Sequence, residues 1–226
     1  MKLSGALGSP YVARVVLYAR LKGIELAPVQ PEGGIKSSAY LAENPLGKRP
    51  VLELDGTCVP ESAVICELLE DLHPDLPGLE GTPLERARAR TIARIFDLYM
   101  SPQASILFRN MNPATRNVAA VEAAQLAFVA SIAYLEHYVV AAPFAAGRTV
   151  TVADCTLLPA FAIFRKTIVP LLGTPDPSLG CGKLPAWWAA MTQHAVTGPF
   201  LQEYDVAVDA LLQSFADLFG IVERRV

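Results

Sequence analysis

The sequence has no excess of positive charge: 19 Lys and Arg stand against 22 Asp and Glu, for a net charge of −3. It therefore offers no basic footprint for nucleic acid and no polybasic patch for a membrane surface, and neither is expected as a partner. No apolar run is read as reaching the roughly 18 residues needed to cross a bilayer. The N-terminus lacks a basic stretch leading into an apolar core of the secretory kind, so a cytoplasmic protein is expected. Cysteine is scarce: Cys58, Cys66, Cys155 and Cys181 stand far apart with no C-x-x-C pair. They read as small apolar side chains of a reducing compartment. His73, His137 and His194 are scattered without metal-ligand spacing, so no metal is expected. Internal repeats and low-complexity tracts are absent as well. What is present is ordinary for a globular chain, since 52% hydrophobic and 18% charged residues over 226 positions can bury a sizeable core.

The first 80 residues alternate in character. Met1 to Leu7 is short and apolar, as a strand is. After Ser9-Pro10, apolar side chains at Val12, Val15, Val16, Ala19 and Leu21 fall close to helical spacing. A strand pattern restarts after Gly23 in "GIELAPVQP", a short helix is expected through Tyr40 and Leu41, and "RPVLELDGTCV" reads as two strands about the turn signal Asp55-Gly56. "ESAVICELLEDLH" then predicts a helix stopping near His73-Pro74. The order β-α-β-α-β-β-α makes a small α/β domain over residues 1–76. The Pro- and Gly-rich stretch Pro74–Pro83 is the natural linker. From residue 84 to 226 almost only helix signals follow: Leu84–Met100, Arg116–Val140, Val152–Ile168, Ala186–Ala195, and a last one from about Leu201 to Phe219. The fold class is thus an α/β N-terminal domain joined to an all-α C-terminal domain.

Three features of the first domain bear on chemistry, and each has two readings. Ser9 stands before Pro10 at the start of the first helix. It is either a plain helix cap or a hydroxyl that, with the positive helix terminus, stabilises a bound thiolate. Pro50 directly precedes a strand, where its missing N–H suits only a first or edge position. If Arg49-Pro50 is cis, the Arg49 backbone can pair with an extended, peptide-like ligand. Glu61 and Ser62 begin the third helix. Ser62 either caps it or, with the terminal N–H groups, holds a carboxylate, while Glu61 accepts from an ammonium group. Further on, Asp97 is an acid within an apolar stretch and so requires a partner.

Together these features resemble the glutathione S-transferase family. "SPYVARV" is similar to the serine-bearing motif of tau-like and many bacterial members. "NPLGKRPVLELDG" resembles the family's N-P-x-x-K-V-P-V-L segment, and "ESAVICELLEDLHP" its E-S-x-A-I-x-x-Y-L segment. "TVADCTLLPAF" resembles the buried capping box of the family's sixth helix, with Thr151 as cap and Asp154 reaching back, and "LPAWWAAMTQH" the P-x-x-x-x-W segment after it. The resemblance runs from Lys2 to about Phe200.

That resemblance implies a thioredoxin-like first domain binding glutathione as co-substrate, and a helical second domain binding an apolar electrophile. Ser9 would activate the sulfur. The Arg49 backbone, before Pro50, would hold the cysteinyl part, and Glu61 and Ser62 the γ-glutamyl head. Lys48, with Lys36, would pair with the glycyl carboxylate. Tyr11 is an alternative sulfur-activating hydroxyl, and otherwise a candidate for the electrophile pocket. Phe96, Tyr99, Met100, Phe108 and Phe161 are candidates for the electrophile pocket, or else plain interhelical core. Arg49 departs from the family's usual Val or Ile. Ser9, where reductase-type members carry Cys, argues against thiol-disulfide exchange, and the Cys- and Ser-rich motif of the maleylacetoacetate isomerases is missing. A homodimer is implied. Other glutathione chemistry (ether cleavage, dehalogenation, peroxide reduction) and a non-catalytic binding role are the alternatives.

Overall fold

A computed structural model describes residues 1–75, 78–140 and 143–215. Strand β1 (Lys2–Ser4) leads into α1 (Pro10–Leu21), β2 (Pro28–Val29), α2 (Ser38–Glu43), β3 (Val51–Leu54), β4 (Thr57–Pro60) and α3 (Ser62–Leu72), in the order the sequence predicts. The sheet runs β2-β1-β3-β4, with β1 parallel to β2 and antiparallel to β3. Asp55 and Gly56 join β3 to β4 with positive φ angles of 50° and 77°, as the tight primed turn of a two-residue hairpin requires. Every residue of α1 from Val12 to Ala19 is buried, because the sheet domain lies on one side of it and the helical domain on the other.

The rest is helical: α4 (Pro83–Ile95), a π-helical turn (Phe96–Met100), α5 (Ser101–Arg109), α6 (Val118–Tyr138), α7 (Val152–Lys166), α8 (Ile168–Leu172), α9 (Lys183–Gln193) and α10 (Thr197–Ser214). Helix α7 is buried from Val152 through Phe164 and packs on α1, α4, α9 and α10. Its side chains join Phe128 and Trp187 in the core of this half. Thr151 donates from its N–H and its hydroxyl to Asp154 Oδ2 at 2.7 and 2.9 Å, so Asp154 does reach back to the start of α7.

Three sequence expectations need correction, and a fourth runs beyond the described residues. The helix read as Leu84–Met100 leaves α-geometry after Ile95, and α5 follows it unannounced. The Ser101 N–H bonds to Phe96 O, five residues back, and Pro102 sits in the first turn of α5, where an N–H is dispensable. Pro185 likewise lies inside the first turn of α9 rather than before it, so α9 begins at Lys183 and ends at Gln193. The last helix is described to Ser214, and its expected continuation through residues 216–219 lies outside the described residues. Finally, α6 is long and apolar enough to cross a membrane by length and composition, with a mean hydropathy of 1.7 over its most apolar window. Glu122 and Glu136 interrupt it, which is why no continuous run stood out. Its apolar side chains are only partly covered: Leu126 is 76% exposed, and Val129, Tyr134 and Tyr138 are exposed too.

Candidate functional site

The N-termini of α1 and α3 face α4, the π turn and α5 across a cleft of about 790 Å³. Ser9, Tyr11, Lys48, Arg49, Pro50, Glu61 and Ser62 line one side, and Arg94, Asp97, Leu98, Ser101, Ser105 and Arg109 the other. Most of the residues singled out in the sequence are therefore brought to one place.

Ser9 has extended backbone (φ −78°, ψ 126°) at the N-cap of α1, yet its side chain makes no capping hydrogen bond. Its carbonyl accepts from Ala13 N–H at 2.9 Å, so the backbone starts the helix while the half-buried hydroxyl stays uncommitted. Tyr11 differs. Its hydroxyl is hydrogen-bonded to the Ser101 hydroxyl across the cleft, and burial pushes its pKa up. A phenol that is engaged and hard to ionise is a poor candidate to stabilise a thiolate.

Arg14 lies beneath the cleft, buried. Its Nη1 donates to Ser62 Oγ at 3.1 Å and to Asp97 Oδ2 at 3.2 Å, and its Nη2 to Asp97 Oδ1 at 2.6 Å. The guanidinium lies near the Tyr11 and Phe96 rings, at 5.7 and 5.9 Å from their centroids. This is the partner that Asp97 required. Arg14 itself was overlooked, although a cation at the centre of an otherwise apolar helical run is a readable signal of a buried ion pair.

Glu61 is the N-cap residue of α3 and Ser62 its first helical residue, so Ser62 does not cap the helix; its hydroxyl accepts from Arg14 instead. Glu61 holds φ 70° and ψ 110°, a sparsely populated region for a residue with a side chain and one that recurs at ligand sites. Its carboxylate is exposed and makes no capping bond. Arg49-Pro50 is cis. The loop before it is fixed by two donors to the Lys48 carbonyl, Tyr40 Oη at 2.6 Å and Asn44 Nδ2 at 2.8 Å, neither of which the sequence reading singled out.

Several residues lie elsewhere. Lys36 is not part of the cleft lining; its Nζ donates to Gly47 O at 3.4 Å, behind Lys48. Phe96, Met100 and Phe161 are buried in the helical core, and half-buried Phe108 packs on Phe164 with ring centroids 6.2 Å apart. Tyr99 is 52% exposed on another face, edge-on to Tyr134. Phe96, Met100 and Phe161 thus take the interhelical-core reading, and within the π turn the extra residue rotates the helix face, so 3.6-residue spacing mislocates Tyr99. Leu98, Ser101, Ser105, Ile106 and Arg109 stand on that wall instead.

Residues 3–78 match the N-terminal domain of the glutathione S-transferase family. A glutathione transferase of Zea mays is 41% identical over 96 residues, covering 42% of this chain and 43% of that protein. A glutathione S-transferase of Arabidopsis thaliana is 31% identical over 156 residues, 68% of this chain and 66% of that one. The chain spans less than half the length of the first curated relatives it matches. The tau-class glutathione S-transferase of mango, Mangifera indica, is 24% identical and shares the fold with a TM-score of 0.75 over 96% of this chain and 97% of that one. On these matches and on the two-part fold, the chain belongs to the glutathione S-transferase family.

Proposed function

We propose that the protein is a glutathione transferase that holds the glutathione sulfur as thiolate at Ser9 and directs it onto a bound electrophile. The observation that carries this reading is the Ser9 hydroxyl: it sits at the start of α1, faces the cleft and does not cap its helix. A free thiol near pKa 8.5 is only a few per cent ionised at neutral pH. A donated hydrogen bond and the positive end of α1 lower that pKa, and each unit is about 1.4 kcal/mol of thiolate stabilisation. The thiol proton leaves to solvent, the sulfur lone pair forms the C–S bond, and the electrophile's leaving group departs with its bonding pair. No covalent enzyme intermediate is needed.

The rest of the cleft suits a γ-glutamyl tripeptide. The Arg49 backbone beside Pro50 serves the cysteinyl amide, and the exposed Glu61 carboxylate accepts the ammonium group. Ser62 and the α3 N-terminus hold the adjacent carboxylate. Lys48 pairs with the glycyl carboxylate, and Lys36 supports the loop behind it. Ser9 is preferred to Tyr11 because the tyrosine hydroxyl is already bonded to Ser101.

The proposal extends to a homodimer. Tyr99, Tyr134 and Tyr138 line a groove of about 630 Å³ with Arg90, Arg94 and Leu98. A second copy would cover it together with the exposed apolar side of α6. A cytoplasmic setting and a role in detoxification go with this reading, and the four free cysteines are in keeping with a reducing compartment.

The test is conjugation of glutathione to 1-chloro-2,4-dinitrobenzene by the native protein and by Ser9→Ala, with glutathione binding measured alongside. Binding with turnover that falls ten- to a hundredfold in Ser9→Ala supports the proposal. Binding without turnover of any electrophile refutes a transferase, and undiminished turnover in the variant refutes the role of Ser9.

A further inference from the structure

The cleft carries more positive charge than glutathione can use. Five cations line it, Arg14, Lys48, Arg49, Arg94 and Arg109, against two acids, Glu61 and Asp97. Asp97 is taken up by Arg14. Glutathione bound as thiolate adds a charge of about −2, its two carboxylates and sulfur set against one ammonium group, so cationic charge remains in excess. Part of it lies on the helical wall, away from Glu61, Ser62 and Lys48. Arg94 is half committed to Asp97 at 3.8 Å. Arg109 is not: exposed on this wall, its Nε donates to Ser105 O at 3.1 Å within its own helix, and no acidic side chain pairs with it among the described residues. Arg49, half-buried on the opposite wall, has no acidic partner among them either. The same wall carries Leu98, Ser101, Ser105 and Ile106, two apolar side chains and two hydroxyls, the one of Ser101 bonded to Tyr11.

We infer that the electrophile is an organic anion, an apolar reactive body bearing a carboxylate or sulfonate that Arg109 binds, with Arg49 facing it. This rests on the transferase reading above and narrows its substrate class. A guanidinium held at Nε with its terminal nitrogens free is suited to two parallel charge-assisted bonds with such a group. Arg109 is exposed, so the pair is open to screening and weakens as salt is raised. The Ser105 hydroxyl suits a polar substituent better than a bare hydrocarbon would, while that of Ser101 is bonded to Tyr11.

A matched pair of electrophiles tests this: 4-chloro-3,5-dinitrobenzoate and the neutral 4-chloro-3,5-dinitrobenzamide, each rate divided by its uncatalysed rate with glutathione. The native protein is expected to favour the acid at least tenfold in kcat/KM. That ratio should fall by tenfold or more in Arg109→Gln, fall less in Arg109→Lys, and shrink as NaCl is raised from 0.05 to 0.5 M. A ratio near one in the native protein, or one unmoved by Arg109→Gln, overturns the inference while leaving a transferase in place. So does a rise in the KM for glutathione in Arg109→Gln at constant ratio, which would assign Arg109 to glutathione. If neither compound is turned over, the transferase reading is what fails. Calorimetric binding of the unreactive 3,5-dinitrobenzoate and 3,5-dinitrobenzamide then decides the inference: tighter binding of the acid, lost in Arg109→Gln, sustains it, and equal binding of the two overturns it.

Discussion

Arg14 and Asp97 meet end to end, with Nη1 at 3.2 Å from Oδ2 and Nη2 at 2.6 Å from Oδ1, and so bind the first helix to the opposite wall of the cleft. The guanidinium is buried and the carboxylate nearly so. Asp97→Asn keeps the shape but leaves the buried cation uncompensated, a change that costs about 3 kcal/mol in comparable pairs. For a chain of this length that corresponds to a fall of roughly 6–12 °C in Tm. Because Arg14 also holds Ser62, the KM for glutathione is expected to rise several-fold, with a smaller loss in kcat. Calorimetry and steady-state kinetics check both. An unchanged Tm would show that the pair contributes no net stability.

Glu70 gathers three donors on one oxygen: Tyr18 Oη and Lys22 Nζ, both at 2.7 Å, and Gly78 N–H at 3.2 Å. They fasten α3 and the residues after it to α1. Burial by itself would raise the Glu70 carboxyl, but the bonds from Lys22 and Tyr18, the Lys22 charge and the Gly78 N–H outweigh it, and the pKa is lowered. A lowered carboxyl contributes stability that is complete above the ordinary glutamate value, about 4.3. It is lost as pH falls through the lowered one. Glu70→Gln should therefore cost about 2–4 kcal/mol at pH 7, and the gap to the native protein should begin to narrow below about pH 4. Urea unfolding from pH 7 to pH 3 measures it, and a gap independent of pH would disprove the linkage.

What could be read from the sequence was local. The Asp55-Gly56 hairpin, the Ser9-Pro10 helix start and the Thr151/Asp154 box each need residues only a few positions apart, so spacing alone reveals them. The need of Asp97 for a partner was legible; the partner was not, because Arg14 lies 83 positions away and only packing brings the two together. Of the side chains offered as electrophile pocket or else interhelical core, Phe96, Met100 and Phe161 lie in the core, and Tyr99 is placed elsewhere for a different reason. Periodicity assumes an unbroken α-helix, and the π turn at Phe96–Met100 shifts the register, sending Tyr99 outward. The same shift let α5 pass Pro102.

Helix α10 reaches the site through Gly8. A Cβ on Gly8 would lie 2.7 Å from Ala207 O and 3.0 Å from Leu211 Cβ, and the Gly8 carbonyl accepts from Tyr204 Oη at 3.5 Å. Gly8→Ala must push α10 away or displace the neighbouring Ser9. A stability cost of about 1–3 kcal/mol, typical of overpacking, is expected, with a loss of conjugation rate of tenfold or more. Gly23→Ala is the control. Its φ of +67° strains an alanine by about 1 kcal/mol, but no atom lies within 4 Å of the added methyl, so turnover should hold.

In the helical domain the buried Asp154 carboxylate organises the start of α7. Oδ1 accepts Ala145 N–H at 2.8 Å and Trp187 Nε1 at 2.7 Å, while Oδ2 accepts the Thr151 N–H and hydroxyl. Burial pushes the carboxyl up, and these bonds pull against it without cancelling it. The two obvious substitutions should differ in size for a reason of valence. Trp187→Phe removes one donor and leaves three, so it should cost about 1–3 kcal/mol including the unfilled space. Asp154→Asn puts an NH2 group where an acceptor faced two donors, so one buried N–H or O–H is left opposed by another. It should cost more, about 3–5 kcal/mol. Neither residue lines the cleft, so the KM for glutathione in whatever folds should be unchanged. Chemical denaturation of the two variants gives the order of stability, and a Trp187→Phe protein weaker than Asp154→Asn would mean that ring packing, and not the shared carboxylate, holds α7 to α9.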